Sequence, residues 1–314
     1  MLSQEELVAA LEEIATLDLP DKSREALEYL LIGRLVLKDP EFAIKHYFNR
    51  IHDVEGSVRG QLADAMGMWA KKDLASATAW FDQQIAAGAF DSKSLNGRSD
   101  ARISFERKLL EIMISVDSTG ALARLKSLPA DQRAGMMSYA NVKEENQLAL
   151  ANIIRDAVPE KEQAKTLARR AASLAYSESY AVVTEYLDRI KATPAERAAS
   201  VEESAERKMY YLSSKRKVIR EDIDAMREWA NAQSPETTDQ ATGKALAAAT
   251  RLGKKLEFSE AAALATQYHE AAGNDEVLVS FLSAAGYTDK EQARSLVEKI
   301  ADPEKREKLL EKWK

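Results

Sequence analysis

The chain has 314 residues, more than a single compact core usually covers, and it contains no cysteine, which excludes disulfides, thiolate catalysis and zinc–thiolate sites. Its 45 basic and 51 acidic residues give a formal net charge of −6, which provides no overall attraction for nucleic acid or an anionic membrane. Apolar residues make up 45% and charged residues 31%, a balance typical of a folded, well-solvated protein. These values leave open a large one-domain scaffold, two domains or a stack of repeats, and they argue against nucleic acid as a partner.

The N-terminal stretch MLSQEELVAALEEI is acidic and amphipathic, which predicts a helix rather than a secretory signal peptide. Ser3 followed by Glu6 is the capping-box pattern that opens a helix. No stretch approaches the ~20 apolar residues that a membrane-spanning helix requires. We therefore expect a cytoplasmic protein with no membrane partner; an exported form whose leader has been removed is the alternative.

Prolines mark helix starts along the whole chain. At the first helical position a proline costs nothing, because its missing N–H would have no partner there. Between the prolines, apolar residues recur every three or four positions, as in a helix with one buried face, and no convincing period-two run is present. The sequence thus predicts an all-α protein. The prolines assigned to helix starts are Pro20, Pro40, Pro129, Pro159, Pro194, Pro235 and Pro303.

A spaced pattern recurs along the chain: an acid, a small residue four positions on and a bulky residue eight positions on. In the stretch WAKKDLASATAWF these are Asp73, Ala77 and Phe81. An acid suits the start of a helix, where it caps free N–H groups and meets the positive end of the helix dipole. The corresponding acids are Asp39, Asp73, Asp117, Glu178, Glu221, Glu257 and Asp289, at intervals of 34, 44, 61, 43, 36 and 32 residues.

A second amphipathic helix before each acid makes each unit a pair of antiparallel helices. We therefore predict an all-α fold, a right-handed α-solenoid of about seven helix pairs that forms a single helical-repeat domain over residues 1–314. The 61-residue interval is too long for one pair. We expect an irregularity at 129–160, with an extra helix near 143–157.

The pattern W-A-x-x-D-x-x-x-A-x-x-W, which runs from Trp69 through Asp73 to Trp80, resembles tetratricopeptide-like bacterial helical-repeat proteins. The resemblance covers most of the chain, although the strict spacing of ~34 residues is not kept. It implies a helix-pair fold of the tetratricopeptide or HEAT type and, by analogy, binding of a protein or peptide. It implies no catalytic residue.

Motifs for catalysis or metal binding are absent from the sequence. The only histidines are His46, His52 and His269, and the stretch HDVE that begins at His52 has metal-ligand residue types without metal-site spacing. Nucleotide-binding loops, the H-E-x-x-H pattern and the nucleophile elbow are also missing. We predict no enzyme activity, no metal site and no cofactor.

The centre of the chain holds the candidate binding residues. A basic run, SSKRKVIR, covers residues 213–220, and tyrosines lie before it. Tyrosine, arginine and lysine suit recognition of an acidic or C-terminal peptide segment. The alternative is a solvated loop balanced by the acids that follow the run, with the tyrosines packed between helices. The candidate peptide-binding residues are Arg169, Arg170, Lys208, Tyr211 and Lys215.

Three functions follow from these observations. The first is a non-enzymatic scaffold that binds a protein or acidic peptide on its concave face. The second is a structural or assembly component that self-associates through its end helices, around residues 2–17 and 309–313, with Trp313 exposed as a docking point. The third is a helical-repeat enzyme that resembles HEAT-like DNA glycosylases, which the pI of about 5.4 disfavours because such enzymes need a basic groove.

Overall fold

A computed structural model describes residues 2–52, 57–92, 97–252, 256–285 and 289–313. These residues form helices joined by short connections and include no β-strand, which confirms the all-α prediction for the described part of the chain. No helix in these ranges is long and apolar enough to cross a membrane. The chain divides into two compact units, Met1–Ile153 and Ile154–Lys314, and each is described by itself. A single repeat domain over residues 1–314 stays a prediction.

In the first unit, α2, α4 and α6 pack in succession, and the shorter helices between them pack on their neighbours. Helix α9 crosses the division between the units, and α8 and α9 both lie in the 129–160 interval. The helices are α1 (Gln4–Thr16), α2 (Asp21–Lys38), α3 (Pro40–Tyr47), α4 (Ser57–Lys72), α5 (Leu74–Ala86), α6 (Asp100–Val116), α7 (Ser118–Ser127), α8 (Ala130–Met137) and α9 (Gln147–Ala157), with 3₁₀ turns at Phe48–His52 and Glu144–Asn146.

The second unit repeats this arrangement: α10, α12, α14 and α16 pack on one another in succession, and the helices between them pack on members of this row. Its helices are α10 (Glu160–Ser177), α11 (Tyr180–Arg189), α12 (Pro194–Lys215), α13 (Arg220–Gln233), α14 (Thr238–Ala249), α15 (Phe258–Ala272), α16 (Glu276–Ala285), α17 (Lys290–Val297) and α18 (Pro303–Lys312), with a 3₁₀ turn at Pro235–Thr237.

Local capping explains where many of these helices begin. The Asp73 carboxylate accepts a hydrogen bond from the Ser76 N–H at 3.0 Å, and Asp39 and Asp117 cap α3 and α7 in the same way. The alanines four residues after these three acids are fully buried, as the repeat predicts. All seven prolines lie at the N-cap or first position of a helix or 3₁₀ turn, so that prediction is confirmed.

The predicted register is wrong at two of the seven acids. Glu178 ends α10, and Ser179 is the N-cap of α11. Glu221 lies inside α13, where Ala225 is exposed and Met226 is buried. In α11 the predicted Tyr186 is buried, but Val183 is buried in place of Val182. In α13 Ile223 and Met226 form the buried face instead of the positions that Glu221 indicates.

Trp313 is buried, with 8% of its surface exposed, and belongs to the core of the second unit. Its backbone carbonyl also accepts a hydrogen bond from the Lys290 ammonium at 3.3 Å. The prediction of Trp313 as an exposed docking point is therefore wrong. Because α18 packs on α16 and α17, the indole is part of the core of the second unit.

A glycine allows α14 and α16 to pack closely. A Cβ atom placed on Gly243 of α14 would lie 2.3 Å from the Val277 carbonyl oxygen and 2.7 Å from the Phe281 nitrogen, both on α16. Such distances are impossible without a shift of backbone, so Gly243 sets the spacing of these two helices.

Candidate functional site

Helix α12 presents three of the five predicted site residues on one face. Its start is fixed by a capping box between Thr193 and Glu196. Lys208, Tyr211 and Lys215 follow at intervals of three and four residues, which brings them to the same side of the helix. Lys208 and Tyr211 are half-buried and Lys215 is exposed, whereas the apolar face of α12 is buried. The buried apolar residues are Val201, Ala205 and Met209.

The Tyr211 ring is the centre of a group of cations and aromatic rings. The Lys208 and Lys215 ammonium groups lie 5.5 and 5.6 Å from its centroid, within the range of a cation–π contact. Tyr176, near the end of α10, meets the Tyr211 ring edge to face with centroids 4.7 Å apart. The Arg207 guanidinium lies 5.8 Å from the Tyr176 centroid. These five residues are here called the Tyr211 cluster.

The cations of the Tyr211 cluster have no carboxylate partner among the residues that the structure describes. The Lys208 ammonium donates one hydrogen bond, to the backbone carbonyl of Glu178. Partial burial lowers the pKa of Lys208 from its ordinary value. The cluster is therefore a patch of positive charge whose hydrogen-bonding capacity is only partly used.

Two carboxylates of α12, Glu202 and Glu206, form ion pairs with cations in or just after α14. Glu202 pairs with Lys244, and Glu206 pairs with Arg251 at 2.7 Å. Lys244 belongs to α14 and Arg251 follows its end, so these two glutamates are paired with cations outside the Tyr211 cluster.

Most of the basic run after α12 is neutralised within the fold. Arg216 makes two hydrogen bonds of 2.6 Å with the Asp222 carboxylate, and Lys217 lies 2.7 Å from Glu260. Arg220 pairs with Asp224 at 3.5 Å. The alternative prediction of a balanced, solvated loop thus describes these three cations. It does not describe Lys215, whose ammonium lies over Tyr211.

The two predicted arginines of α10 occupy different positions. Arg169 precedes Tyr176 by seven residues and so lies on the same face of α10, two turns earlier. Arg170 lies close to Tyr186 of α11: burial raises the pKa of the Tyr186 phenol, and the charge of Arg170 acts against that rise. Arg169 is therefore placed to extend the face that carries Tyr176, whereas Arg170 points toward α11.

Two members of the Tyr211 cluster, Tyr176 and Arg207, were not among the predicted site residues. Tyr176 is 40% exposed. The signal for Arg207 was its spacing of four residues before Tyr211, which places the two on adjacent turns of α12. The position of Tyr176 beside Tyr211 depends on how α10 packs against α12, so it could not be read from the sequence.

Across the described residues, no group of three or more histidine, cysteine, aspartate or glutamate side chains could hold a metal ion. The His52 ring lies 3.0 Å, Nε2 to oxygen, from the backbone carbonyl of Ala89, a contact within the first unit. The rest of the HDVE stretch, residues 53–55, lies outside the described residues. The absence of a metal site stays a prediction.

Comparison with known proteins adds no further assignment: no protein-family model, no curated protein and no solved structure matches the chain. The Tyr211 cluster is thus the feature whose chemistry points to a ligand. It offers three cations held against two tyrosine rings, which suits a negatively charged ligand.

Proposed function

We propose that the protein is a non-enzymatic helical-repeat scaffold whose Tyr211 cluster binds an acidic segment of a protein partner. The observation that carries the proposal is the set of three cations, Arg207, Lys208 and Lys215, that surround two tyrosine rings without a carboxylate of the described chain to balance them. Rings and cations of these types are common anchors of protein interfaces, and cations form their strongest hydrogen bonds with carboxylates.

The spacing of the lysines favours a chain of linked acids over a single small anion. Lys208 and Lys215 are seven residues apart on α12, so their Cα atoms are separated by about 10 Å along the helix. A peptide whose acids are separated by about two helical turns can place one carboxylate near each lysine.

We also infer the finer architecture as an α-solenoid of helix pairs, in which the Tyr211 cluster would lie on the concave face. Support comes from the second unit, where α10, α12, α14 and α16 pack in succession and the helices between them pack alongside. Such repeats bury a continuous core between neighbouring pairs and leave long surfaces free for extended partners.

A fluorescein-labelled octaglutamate peptide tests the binding proposal by fluorescence anisotropy. The unmodified protein is expected to bind it at low salt, and K208E/K215E is expected to bind at least tenfold more weakly, because attraction at two positions becomes repulsion. Added salt should weaken binding, since the Debye length is only about 8 Å at physiological ionic strength.

The matched control is K161E/K165E, which makes the same change in net charge at two exposed lysines of α10 that lie outside the cluster. Its affinity is expected to stay within about threefold of the unmodified protein, since distant exposed charges are screened. Equal weakening of the two variants would show attraction to the protein's charge as a whole and would contradict the proposed site. No binding by the unmodified protein would contradict the proposal entirely.

A further inference from the structure

The first helix of the chain carries an acidic face that has the opposite charge to the Tyr211 cluster. Glu5, Ala9, Glu12 and Glu13 are all exposed on α1. Glu5, Ala9 and Glu12 follow one another at intervals of four and three residues, so they form a line along the helix. Opposite this line lies the buried apolar face of α1, which consists of Leu7, Leu11 and Ile14.

The acids of this face form few contacts within their own chain. Glu12 and Glu13 form no ion pair with any described residue. Glu5 sits in the first turn, where its own backbone N–H and the Ser3 side chain lower its pKa and the charge of Lys38 adds a smaller effect. These side chains are exposed, so the face is accessible to cations from another molecule.

The spacings on α1 and α12 match when the two helices run in opposite directions. On α12 the three residues of the face are separated by three and then four positions. On α1 the separations are four and then three, which is the same spacing read in the opposite direction. One antiparallel register places Lys208 opposite Glu12, Tyr211 opposite Ala9 and Lys215 opposite Glu5.

The same register gives Arg207 an acidic partner as well, since Glu13 follows Glu12 just as Arg207 precedes Lys208. The small Ala9 side chain would let the backbone of α1 approach the Tyr211 ring. A parallel arrangement also matches both lysines with acids, but it leaves Arg207 opposite Gln4. The antiparallel register is therefore the better match in charge, and antiparallel helix dipoles attract each other.

From this complementarity we infer that the acidic segment bound at the Tyr211 cluster is helix α1 of a second copy of this chain. The inference rests on the proposed function, because it names the partner of that same site. An amphipathic helix seated beside another helix is a recurring mode of recognition. The contact joins two different surfaces, so it would generate a closed ring or an open chain of copies.

Sedimentation velocity of the full chain over a range of concentrations tests the inference. The unmodified protein is expected to rise above its monomer mass of 34.8 kDa as its concentration increases, and to do so less at high salt. Two variants, R207E/K208E and E12K/E13K, are each expected to raise the dissociation constant at least tenfold, because one side of the contact is reversed. Both pairs of substitutions lie within helices, away from their first turns.

Mixing the two variants gives the decisive result. In the mixture, the acidic cluster of R207E/K208E can bind the basic α1 of E12K/E13K. The unmodified cluster of E12K/E13K can likewise bind the unmodified α1 of R207E/K208E. The dissociation constant is therefore expected to return to within about threefold of the original. The control E221K/E228K reverses two exposed glutamates seven residues apart on α13 and should associate like the unmodified protein. Circular dichroism checks that every variant keeps its helical content.

The outcomes separate this inference from the proposed function. If the unmodified protein binds octaglutamate but stays a monomer at all concentrations, the inference is wrong and the proposed function stands. Association that persists unchanged in R207E/K208E and E12K/E13K, or that fails to return in their mixture, also contradicts the inference. If the protein neither binds the peptide nor associates, both proposals are wrong.

Discussion

Two tyrosines of the second unit, Tyr211 and Tyr268, each lie between two cations, and their surroundings differ in one respect. At Tyr268 the guanidinium groups of Arg220 and Arg227 lie 5.6 and 4.8 Å from the ring centroid, much as Lys208 and Lys215 flank Tyr211. The arginines at Tyr268 have carboxylate partners within the fold, whereas the lysines at Tyr211 have none among the described residues.

The surroundings of Tyr268 are saturated with internal contacts. Its hydroxyl donates a hydrogen bond to the Asp224 carboxylate at 2.6 Å, and burial together with this bond raises the pKa of the phenol. Arg227 donates to the Thr242 hydroxyl at 2.7 Å and pairs with Asp239 at 3.1 Å. Tyr268 is only 6% exposed, so this group of residues stabilises the fold and leaves nothing for a ligand.

A tyrosine between cations is therefore not by itself a binding site. What distinguishes a site is charge that the fold leaves unbalanced at an accessible surface. The comparison predicts that substitutions around Tyr268 change stability and leave binding alone, whereas substitutions around Tyr211 change binding and leave stability nearly alone.

The largest expected difference is between the two tyrosines themselves. Tyr268→Ala removes a buried aromatic side chain and should lower the free energy of unfolding by about 3–5 kcal/mol. Tyr211→Ala removes a ring that solvent already reaches and should cost less than about 1 kcal/mol. Urea denaturation followed by circular dichroism measures both. Equal losses would show that Tyr211 is as structural as Tyr268.

A smaller contrast is expected between the cations. Arg227→Ala leaves Asp239 without its ion pair and should destabilise the protein by roughly 1–3 kcal/mol. Lys215→Ala removes an exposed side chain without an ion pair and should change stability by no more than about 0.5 kcal/mol. Thermal melting of the two variants side by side checks the contrast. A larger loss of stability in Lys215→Ala than in Arg227→Ala would show that Lys215 contributes more to the fold than Arg227 does.

Acid should affect the balanced region more than the Tyr211 cluster. Burial alone would raise the pKa of Asp222, but the Arg216 guanidinium and the Ile219 N–H outweigh burial, and the pKa is lowered. A lowered pKa gives stability that is present above the unfolded value of about 3.9 and is lost as pH falls through the folded value.

The free energy of unfolding should therefore fall less steeply below about pH 4 in Asp222→Asn than in the unmodified protein. The control K208Q/K215Q should keep the original acid dependence, since the described cluster contains no carboxylate. Urea titrations at a series of pH values give these slopes. An unchanged slope in Asp222→Asn would mean that Asp222 contributes nothing to acid stability.

Helix starts were predictable from sequence because capping is local. Asp73 needs only the N–H groups of the next turn, so its role does not depend on tertiary packing. The prediction fails at Glu221, where Ile223 and Met226 set the buried face and displace the register. Core packing outweighs the preference of one acid for a helix terminus.

The candidate site was predictable only along α12. The spacing of Lys208, Tyr211 and Lys215 places them on one face of a helix whatever packs beside it. The approach of Tyr176 from α10 and the neutralisation of Arg216 by Asp222 depend on contacts that residue types do not specify. Sequence therefore indicated which cations to consider, and the structure shows which of them the fold leaves unbalanced.

Lysine footprinting tests whether the Tyr211 cluster is the binding site for the acidic peptide. The protein is acetylated briefly with and without excess octaglutamate peptide, and the modification of each lysine is measured by mass spectrometry. We expect the peptide to protect Lys208 and Lys215 at least threefold, whereas Lys217, which pairs with Glu260, should react at an unchanged rate. Equal protection of all three lysines, or no protection of Lys208 and Lys215 by a peptide that binds, would rule out the cluster as the binding site.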